Sequence, residues 1–511
     1  MDIVFVNTNS AFKVYQGLAD KWSAIEPPTW SLLLAESCRA KGYGVAIIDA
    51  IAENLTHAET AQRVIDLKPR FCCFVTYGQQ PNSGTFNMVG VYEVAKLVKQ
   101  RSNISTISIG SHTSALPEEV LECPHISYVA LNEGVYTLHD LLSADRTQMA
   151  MPIHIRGLGW RLYNSESPLG FTPMLNPGTV VPQDRMDVDL PGYAWDLLPY
   201  KNKPFDLYRA HTWHAEYQDE YRTPFAALYT SLGCQFKCNF CMINIVNRTN
   251  PQDGVSSSYN NMRFWSPELI IKEFDKLISY GVTTIRLTDE MFFLNKKYYE
   301  PLLKLLDERG YGKYIKMWSY SRVDTVNEKF LDLFRKGGIK WLALGIETAN
   351  QEIRREITKG KFENINVRDV IKQIHNHDMY TMANYIFGHS NDSLETMQET
   401  LDLALELNTE SANFYTAMAL PGSPLYFEAK KNGWELPTSP EGWSFHSYEC
   451  KPLPTNHLKP EEVLKFRDEA WHIYFQNPKF LELVQDKFGA LAVANIKEQS
   501  KIKLKRKILN G

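Results

Sequence analysis

Strand-like and helix-like segments alternate in two separate runs along this chain of 511 residues. In the first run, apolar segments such as 3–7 and 45–50 are separated by amphipathic segments such as 28–44. This alternation is typical of an open parallel sheet with helices on both faces. Ligands bind beyond the carboxyl ends of the strands in such sheets, so the loops that follow these strands are candidate site residues.

The second run begins near residue 223 and contains six strand-like segments, at 225–231, 283–289, 315–321, 341–347, 381–388 and 411–418. Helical segments such as 267–281 and 393–407 lie between them, and the run has no glycine-rich dinucleotide fingerprint. Successive strand–helix units of this kind favour a partial or full parallel barrel. A barrel presents its functional residues at the strand ends, where we expect the chemistry of this half of the chain.

These runs divide the chain into four regions. We predict an α/β fold with a Rossmann-like open parallel sheet over residues 1–145, a partial (β/α)6 barrel over 223–430 and a C-terminal helical extension over 431–511. Residues 146–222 are rich in aromatic and turn residues, which favours an ordered linker packed between the domains. The basic run 501–507 is expected to be a solvated terminus.

Charge and hydropathy argue against several classes of protein. The formal net charge is −4, with acidic and basic residues interleaved, so the basic footprint of a nucleic-acid-binding protein is missing. The N-terminus lacks the basic lead and the apolar core of a signal peptide. No stretch approaches ~18 uninterrupted apolar residues, so no membrane span is expected. We therefore predict a cytoplasmic protein without a nucleic-acid or membrane partner.

Three of the eight cysteines, Cys234, Cys238 and Cys241, lie within one short polar loop that follows a predicted strand. The other five are scattered or lie in apolar runs, as expected for small buried side chains. Three thiolates on one loop can bind three irons of a cubane cluster and leave the fourth iron open, whereas ligation by four cysteines is usual for electron transfer. The alternative is a structural zinc site, for which His211 or His214 would have to supply the fourth ligand.

The spacing Cys-x3-Cys-x2-Cys, with Phe240 before the last cysteine, resembles the radical SAM superfamily. The resemblance continues at later strand ends and implies a [4Fe–4S] cluster with S-adenosylmethionine at its open iron. It implies that Asp289 and Glu290 accept hydrogen bonds from the methionine ammonium. Arg322 and Glu347 are candidates for the carboxylate and for the ribose or amino group, although Asp324 is an equally good partner for Arg322. The candidate residues for S-adenosylmethionine are Phe240, Thr288, Asp289, Glu290, Arg322 and Glu347.

The first half of the chain is similar to the cobalamin-binding domain that is fused to one branch of that superfamily, in segments 27–50, 109–119 and 129–142. The motif Asp-x-His-x-x-Gly, whose histidine ligates cobalt, does not occur in the first 140 residues. The resemblance therefore implies cobalamin bound without that histidine; the alternative is a sheet that holds no corrin and serves as a scaffold. The candidate cobalamin residues are Asn7, Asn9, Thr76, Tyr77, Gly110, Ser111, His112, Glu133 and Gly134.

Together the two resemblances imply a radical SAM enzyme that transfers a methyl group from methylcobalamin to an unactivated carbon, or to phosphorus, of a small metabolite. A cobalamin-assisted cyclisation, oxidation or rearrangement is the alternative reaction. A non-catalytic protein that binds cobalamin or an iron–sulfur cluster is the alternative from another class. The chemistry implies an external electron donor of the flavodoxin or ferredoxin type. The sequence does not identify the substrate.

Overall fold

The computed structural model describes residues 1–77, 82–144, 153–247, 262–358 and 365–509. Its first sheet is formed by β1 (Ile3–Asn7), β2 (Val45–Asp49), β3 (Phe71–Thr76), β4 (Ser105–Gly110), β5 (Tyr128–Ala130), β6 (Leu158–Tyr163) and β7 (Phe171–Leu175), in the order β2-β1-β3-β4-β5-β6-β7. Strands β1 to β5 are parallel, which confirms the open parallel sheet that the sequence predicts. The strand order reverses between β1 and β3, so Asn7 and Thr76 end at the switch point where such sheets bind ligands.

Strands β6 and β7 differ from the prediction, because they come from the region that was expected to be a linker. Both are antiparallel to their neighbours, with Tyr128 opposite Trp160 and Trp160 opposite Met174. The first three residues of β6 are buried and its last two are exposed, so the strand lacks a regular alternation. Pairing with β5, which lies about thirty residues earlier in the chain, holds this strand in the sheet.

Both faces of the first sheet are covered by helices. These are α1 (Ala11–Tyr15), α2 (Thr29–Ala40), α3 (His57–Leu67), α4 (Ser83–Phe86), α5 (Met88–Arg101), α6 (Ser111–Ala115), α7 (Pro117–Glu122), α8 (Val135–Ser143) and α9 (Met186–Asp189). Along β1, Ile3 and Phe5 pack into one apolar cluster, while Val4 and Val6 pack into another on the opposite face. This period of two is that of a strand buried on both faces.

The second sheet is an incomplete barrel of six parallel strands. It is formed by β8 (Phe225–Leu228), β11 (Thr284–Leu287), β12 (Lys316–Arg322), β13 (Ile339–Glu347), β14 (Tyr380–Phe387) and β15 (Ser411–Thr416), which are neighbours in chain order. A short hairpin of β9 (Ser231–Leu232) and β10 (Arg263–Phe264) lies beyond β8. The six strands lie where the alternation predicts them, so the partial (β/α)6 barrel is confirmed.

Helices α10 (Pro267–Ser279), α11 (Lys296–Glu308), α12 (Leu331–Lys336), α13 (Gln351–Thr358), α14 (Val367–Asn376), α15 (Leu394–Leu407) and α16 (Pro424–Lys431) accompany the barrel, and α17 (Pro460–Phe475), α18 (Pro478–Phe488) and α19 (Ala490–Gln499) form the C-terminal extension. The extension is attached to the barrel by Arg467, whose Nε donates to the Phe414 carbonyl at 2.7 Å. It therefore continues the barrel wall beyond β15.

The basic run near the C-terminus is not a solvated tail as predicted. Arg506 is 2% exposed, and its guanidinium donates to both oxygens of Asp468 at 2.8 Å. The Gln16 amide bonds to Lys505 twice: its Nε2 donates to the Lys505 carbonyl at 3.1 Å, and its Oε1 accepts from the Lys505 N–H at 3.2 Å. The last described segment therefore joins the first domain to α17.

Within the described ranges, no helix combines the length and the apolar character that crossing a lipid bilayer requires.

Candidate functional site

The cysteine loop follows β9 and is attached to the barrel at several points. Gly233 has φ +90°, which turns the chain into the loop at little cost because glycine has no Cβ. The Asn239 N–H donates to the Ile357 carbonyl at 3.3 Å, and the Asn239 carbonyl accepts from the Leu425 N–H at 2.9 Å. The loop is therefore held between α13 and α16.

The three thiols of this loop fit a cluster better than a single metal ion. Burial raises the pKa of Cys234 to about 12 and raises the pKa of Cys238 and Cys241 as well, so thiolates here need cations to stabilise them. In the described part of the chain, no three His, Cys, Asp or Glu side chains are placed to share one metal ion. A cubane spreads its thiolates over separate irons and does not require them to converge on one ion.

The two histidines weighed as zinc ligands lie elsewhere. His214 Nε2 is 3.1 Å from the Lys316 carbonyl at the start of β12, and His211 Nε2 is 3.3 Å from a Glu26 oxygen. Arg322, at the other end of β12, donates to Cys238 Sγ at 3.9 Å. His214 and the cysteines are thus at opposite ends of the strand, and His211 is engaged with Glu26, so neither histidine contacts this loop.

Asp289 supports the cysteine loop from inside the protein. One of its oxygens accepts from the Thr230 N–H at 2.7 Å, and the other accepts from the hydroxyls of Thr230 at 2.7 Å and Ser231 at 2.5 Å. Its side chain is fully buried, and burial raises its pKa to about 6. Both oxygens are engaged within the protein, and Asp289 is not among the residues that line the cavity described next, so its contact with a ligand ammonium stays a prediction. Its neighbour Thr288 is likewise buried away from that cavity.

A cavity of about 280 Å³ lies against the cysteine loop and contains the other acidic candidates. Glu290 and Glu347 both line it, and burial raises the pKa of each to about 7. Glu347 ends β13 with φ +64°, a conformation that costs a residue with a Cβ roughly 1–3 kcal/mol. A Cβ on Gly345 would lie 2.5 Å from Glu347 Oε1, so the glycine makes room for this carboxyl. Two half-buried carboxyls beside the cysteine loop suit a cationic ligand group.

Arg322 and Phe240 connect the cavity wall to the cysteine loop. The Arg322 guanidinium pairs with Asp324, with Nε donating at 2.8 Å, and lies 3.7 Å from the centre of the Phe236 ring. The Asp324 partner weighed from the sequence is therefore present, together with the contact to Cys238. Phe240 lines the cavity and packs near His389, with ring centres 6.2 Å apart.

The opposite wall of the same cavity comes from the first sheet. Tyr77 follows β3, Ser111 begins α6 and Glu133 follows β5, and all three line the space that Cys241 and Glu347 line from the barrel. Glu133 is paired with Arg263 of β10, and its second oxygen accepts from the Val181 N–H at 2.7 Å. This buried ion pair joins the first sheet to the hairpin beside the cysteine loop.

The other cobalamin candidates are not among the residues that line this cavity. Asn7 lines a neighbouring cavity and donates to Asp49 at 2.8 Å, while Asn9 caps the start of α1 through its Oδ1 and the Ala11 N–H at 3.0 Å. Thr76, Gly110, His112 and Gly134 are packed inside the first domain. Burial lowers the pKa of His112 to about 4, so its imidazole is neutral at physiological pH.

The first-sheet wall fits a large ligand rich in amides. The Tyr77 hydroxyl and the Asn82 Oδ1 are buried with no hydrogen-bond partner among the described residues. A buried polar atom without a partner costs about 1–3 kcal/mol, which a ligand with donors and acceptors can recover. Backbone approach is close here, since a Cβ on Gly84 would lie 1.9 Å from Ser111 Oγ and one on Gly110 would lie 2.3 Å from Thr76 Oγ1. Cobalamin, with amide side chains around its ring, matches these unmet groups.

A second cavity of about 540 Å³ adjoins the first and extends through the barrel interior to the C-terminal extension. Tyr77, Tyr320 and Tyr415 line both cavities and separate them. The sequence did not single out Trp30, Asn82, Tyr229, Tyr320 or Asn384 as site residues. Tyr320, Asn384 and Tyr415 lie on barrel strands that the sequence predicts, and their side chains line the cavities. The strand alternation was visible in the sequence, but no motif indicated that Tyr320 or Asn384 is a site residue.

Comparison with known proteins agrees with this geometry. Residues 228–404 match the model of the radical SAM superfamily, and residues 15–142 match that of the B12 binding domain. An uncharacterised methyltransferase of Pyrococcus horikoshii is 27% identical over 485 residues, which are 94% of this chain and 93% of that protein. An anaerobic magnesium-protoporphyrin IX monomethyl ester cyclase of Rubrivivax gelatinosus is 24% identical over 91% of this chain and 76% of its own length.

Among solved structures, the fold is similar to that of TsrM from Kitasatospora setae, a radical S-adenosylmethionine methyltransferase with cobalamin and a [4Fe–4S] cluster bound. The TM-score is 0.64 at 14% identity, over 93% of this chain and 89% of TsrM. The two family matches fall on the two sheets whose facing ends enclose the smaller cavity. The chain is therefore a cobalamin-dependent member of the radical SAM superfamily, whose cofactors are a [4Fe–4S] cluster, S-adenosylmethionine and cobalamin.

Proposed function

We propose that this enzyme transfers a methyl group to an unactivated carbon, or to phosphorus, of a small molecule. The observation that carries the proposal is the shared cavity, where Cys241 and Glu347 of the barrel face Tyr77 and Ser111 of the first sheet. A methyl donor held by the first sheet and a radical source held by the barrel would then face one space. The similarity to an uncharacterised methyltransferase over 94% of this chain supports the same reaction.

In this proposal Cys234, Cys238 and Cys241 hold the cluster. When bound, the cofactors supply an electron, a substrate radical and a transferable methyl group. Glu290 and Glu347 are placed to accept hydrogen bonds from cationic or hydroxyl groups of S-adenosylmethionine, because both carboxyls line the cavity beside the cysteine loop. A bound ammonium would favour their ionised form against the cost of burial.

The remaining residues position these groups. Asp289 fixes the strand that leads into the cysteine loop through Thr230 and Ser231. Arg322 holds Cys238 against the end of β12 while its charge is balanced by Asp324. We assign Phe240 to shielding the cluster side of the cavity from water.

Electrons would arrive from an external donor of the flavodoxin or ferredoxin type. Gln235 and Lys237 of the cysteine loop are exposed, so the outer side of the loop can be approached by another protein. The Lys237 ammonium would attract the acidic surface of such a donor. The net charge of −4 gives no reason to propose a nucleic-acid substrate.

A cyclisation, oxidation or rearrangement is the second candidate, and the similarity to an anaerobic cyclase over 91% of this chain favours it. The two reactions differ in what becomes of S-adenosylmethionine. Methyl transfer that regenerates methylcobalamin yields S-adenosylhomocysteine as well as 5′-deoxyadenosine, whereas radical cyclisation yields 5′-deoxyadenosine alone.

The test is to purify the protein without oxygen, reconstitute the cluster and cobalamin, and add dithionite and S-adenosylmethionine. We expect both 5′-deoxyadenosine and S-adenosylhomocysteine, with neither formed by the Cys238→Ala variant above background. Deoxyadenosine without S-adenosylhomocysteine would replace methyl transfer by the second candidate. Neither product from protein with intact cluster and bound cobalamin, in the presence of cell-extract metabolites, would favour the non-catalytic binding protein.

A further inference from the structure

The larger cavity lies inside the barrel, next to the proposed reaction site. Its inner wall is formed by Trp318 and Tyr320 of β12 and by Asn413 and Tyr415 of β15. Since Tyr320 and Tyr415 also line the smaller cavity, a molecule in the larger cavity would be one side chain away from Glu347 and Cys241. The smaller cavity, at about 280 Å³, lies just below the usual range for a small-molecule site, and the reacting ends of the cofactors would meet there. A methyl acceptor therefore needs the adjoining space.

The walls of the larger cavity are dominated by flat rings. Trp318 packs edge-on against Trp213, with ring centres 5.1 Å apart, and against Tyr320, at 4.9 Å. On the side of the first domain, Tyr15 and Phe86 meet edge-on at 6.0 Å, and both line the cavity. Ring faces and edges of this kind favour planar partners through offset-stacked and edge-to-face contacts.

The charges of the inner wall are already balanced. Arg286 donates to both oxygens of Glu26 at 2.9 and 2.8 Å, and His211 stands 3.3 Å from the same carboxyl. Further out, Arg467 donates to Asp468 at 2.8 Å. A ligand with a formal charge would bring an unpaired charge into this space, and burying an unpaired charge is strongly unfavourable.

Neutral polar groups remain open toward the cavity. Tyr320, Asn413 and Tyr415 keep part of their side-chain surface accessible although the strands around them are buried. The Tyr320 oxygen accepts from Arg286 Nη2 at 3.4 Å, so its O–H is what it can offer to a ligand. The Asn413 Nδ2 donates to the Asn384 amide oxygen at 3.3 Å, which orients the Asn413 amide. Two phenols and an amide can form hydrogen bonds with a carbonyl, hydroxyl or ring nitrogen of a ligand.

We propose that the larger cavity binds the methyl acceptor and that the acceptor is a planar, uncharged ring compound with one or a few neutral polar groups. This inference rests on the proposed function and adds the class of its substrate. The volume of about 540 Å³ lies within the range of roughly 300–1,000 Å³ for small-molecule sites.

The test uses holoenzyme reconstituted with cobalamin and three matched probes. These are 2-naphthol, which is planar and neutral, decahydro-2-naphthol, which has the same skeleton but is puckered, and 2-naphthoate, which is planar and anionic. Dissociation constants are measured by calorimetry or saturation-transfer NMR. We expect 2-naphthol to bind about tenfold more tightly than decahydro-2-naphthol, the ratio for lost stacking. It should bind at least about tenfold more tightly than 2-naphthoate, which would bring an unpaired charge into the cavity.

Two wall variants and a surface control locate the binding. Tyr320→Leu and Tyr415→Leu should weaken 2-naphthol binding about tenfold, whereas Tyr163→Leu, at a position that is 83% exposed, should not. Tyr415→Phe keeps the ring and serves if Tyr415→Leu does not fold; it should retain the preference for the planar probe. Bound cobalamin, measured by its absorbance, should be unchanged in all of them.

Equal affinity for the three probes would overturn the inference. So would loss of cobalamin from the two leucine variants, because the wall would then belong to the cofactor. The proposed function is judged separately by the products of S-adenosylmethionine. If both products form while the probes are not discriminated, only the acceptor class fails; if the probes are discriminated but S-adenosylhomocysteine is not formed, methyl transfer fails and the binding site stands.

Discussion

The two walls of the smaller cavity differ in charge. The barrel wall presents Glu290, Glu347 and Arg322 beside the cysteine loop. The first-sheet wall presents the hydroxyl and amide groups of Tyr77, Ser111 and Asn82, and its carboxylate, Glu133, is neutralised by an ion pair with Arg263. The charged wall suits a ligand with its own charges, such as S-adenosylmethionine. The neutral wall suits an uncharged amide-bearing surface. The difference teaches that the reacting ends of two ligands can meet in one cavity and still be sorted by electrostatics.

The largest expected effect is the loss of the cluster from the barrel wall while the first-sheet wall still binds cobalamin. Cys238→Ala removes one of three thiolates, so the cluster should be lost and 5′-deoxyadenosine formation should fall to background. This loss exceeds the roughly 100-fold cost of removing a group that only supports a metal ligand. Iron content and product yield measure it. Cobalamin affinity should stay within a factor of two, and Cys123→Ser, in the first domain, is the matched control.

If Cys238→Ala also abolished cobalamin binding, the two walls would not be independent and the comparison would fail.

The next effect concerns the ion pair that joins the walls. Arg263→Met would leave the Glu133 carboxylate buried without its partner, and breaking such a pair costs about 3–5 kcal/mol. Urea unfolding at pH 7 measures the free energy of unfolding. The double variant Glu133→Gln with Arg263→Met should recover part of the loss. A cost below about 1 kcal/mol, the value of an exposed pair, would show that solvent reaches this site.

A smaller effect is the pH dependence of the free energy of unfolding that His112 gives to the first domain. Burial lowers the pKa of His112 to about 4, below its ordinary value of about 6.5, so the unfolded chain takes up the proton first as the pH falls. The stability from neutral His112 is present above pH ~6.5 and is lost toward pH 4, with about 2 kcal/mol lost between pH 7 and 5. His112→Gln should lose correspondingly less over this interval, as measured by urea unfolding at both values.

His154→Gln, at an exposed position, serves as the control for this slope. An unchanged slope in His112→Gln would mean that the histidine is hydrated or charged in the folded protein.

The smallest expected effect tests whether the Tyr77 hydroxyl of the first-sheet wall binds cobalamin. Tyr77→Phe removes a buried hydroxyl that has no partner among the described residues, so the cobalamin-free protein should gain up to about 1 kcal/mol. Cobalamin affinity should fall about fivefold, because the ligand loses one hydrogen bond. Calorimetric titration and thermal unfolding give the two values. A variant that is less stable and binds cobalamin as before would show that the hydroxyl is satisfied inside the protein.

The sequence predicts those parts of the molecule that depend on residues close together in the chain. The barrel strands show a clear alternation, and Cys234, Cys238 and Cys241 lie within eight residues. The sequence also predicts the strand end at Thr288–Glu290, but it assigns the same role to Asp289 and Glu290, whereas in the structure only Glu290 lines the cavity. Asp289 turns toward Thr230 and Ser231 on another strand, and no pattern local to residue 289 records that.

Contacts between distant residues account for what the sequence could not predict. Glu133 and Arg263 are 130 residues apart, and neither position alone indicates a buried ion pair. Trp30 and Tyr229 line the site from two domains, and Trp30 stacks on Tyr77 with ring centres 4.4 Å apart. Strand β6 exists through its partner β5, and Arg506 is buried because Asp468 is beside it.

The bond between Gln16 and Lys505 spans 489 residues and has a consequence for biosynthesis. On the ribosome, the first domain emerges long before the segment that closes the larger cavity beside it. Ile502 and Leu504, which precede Lys505, line the cavity, so its wall stays open until residues 502–505 have left the ribosome. A nascent chain therefore has no enclosed space for radical chemistry until this segment has been made and has docked.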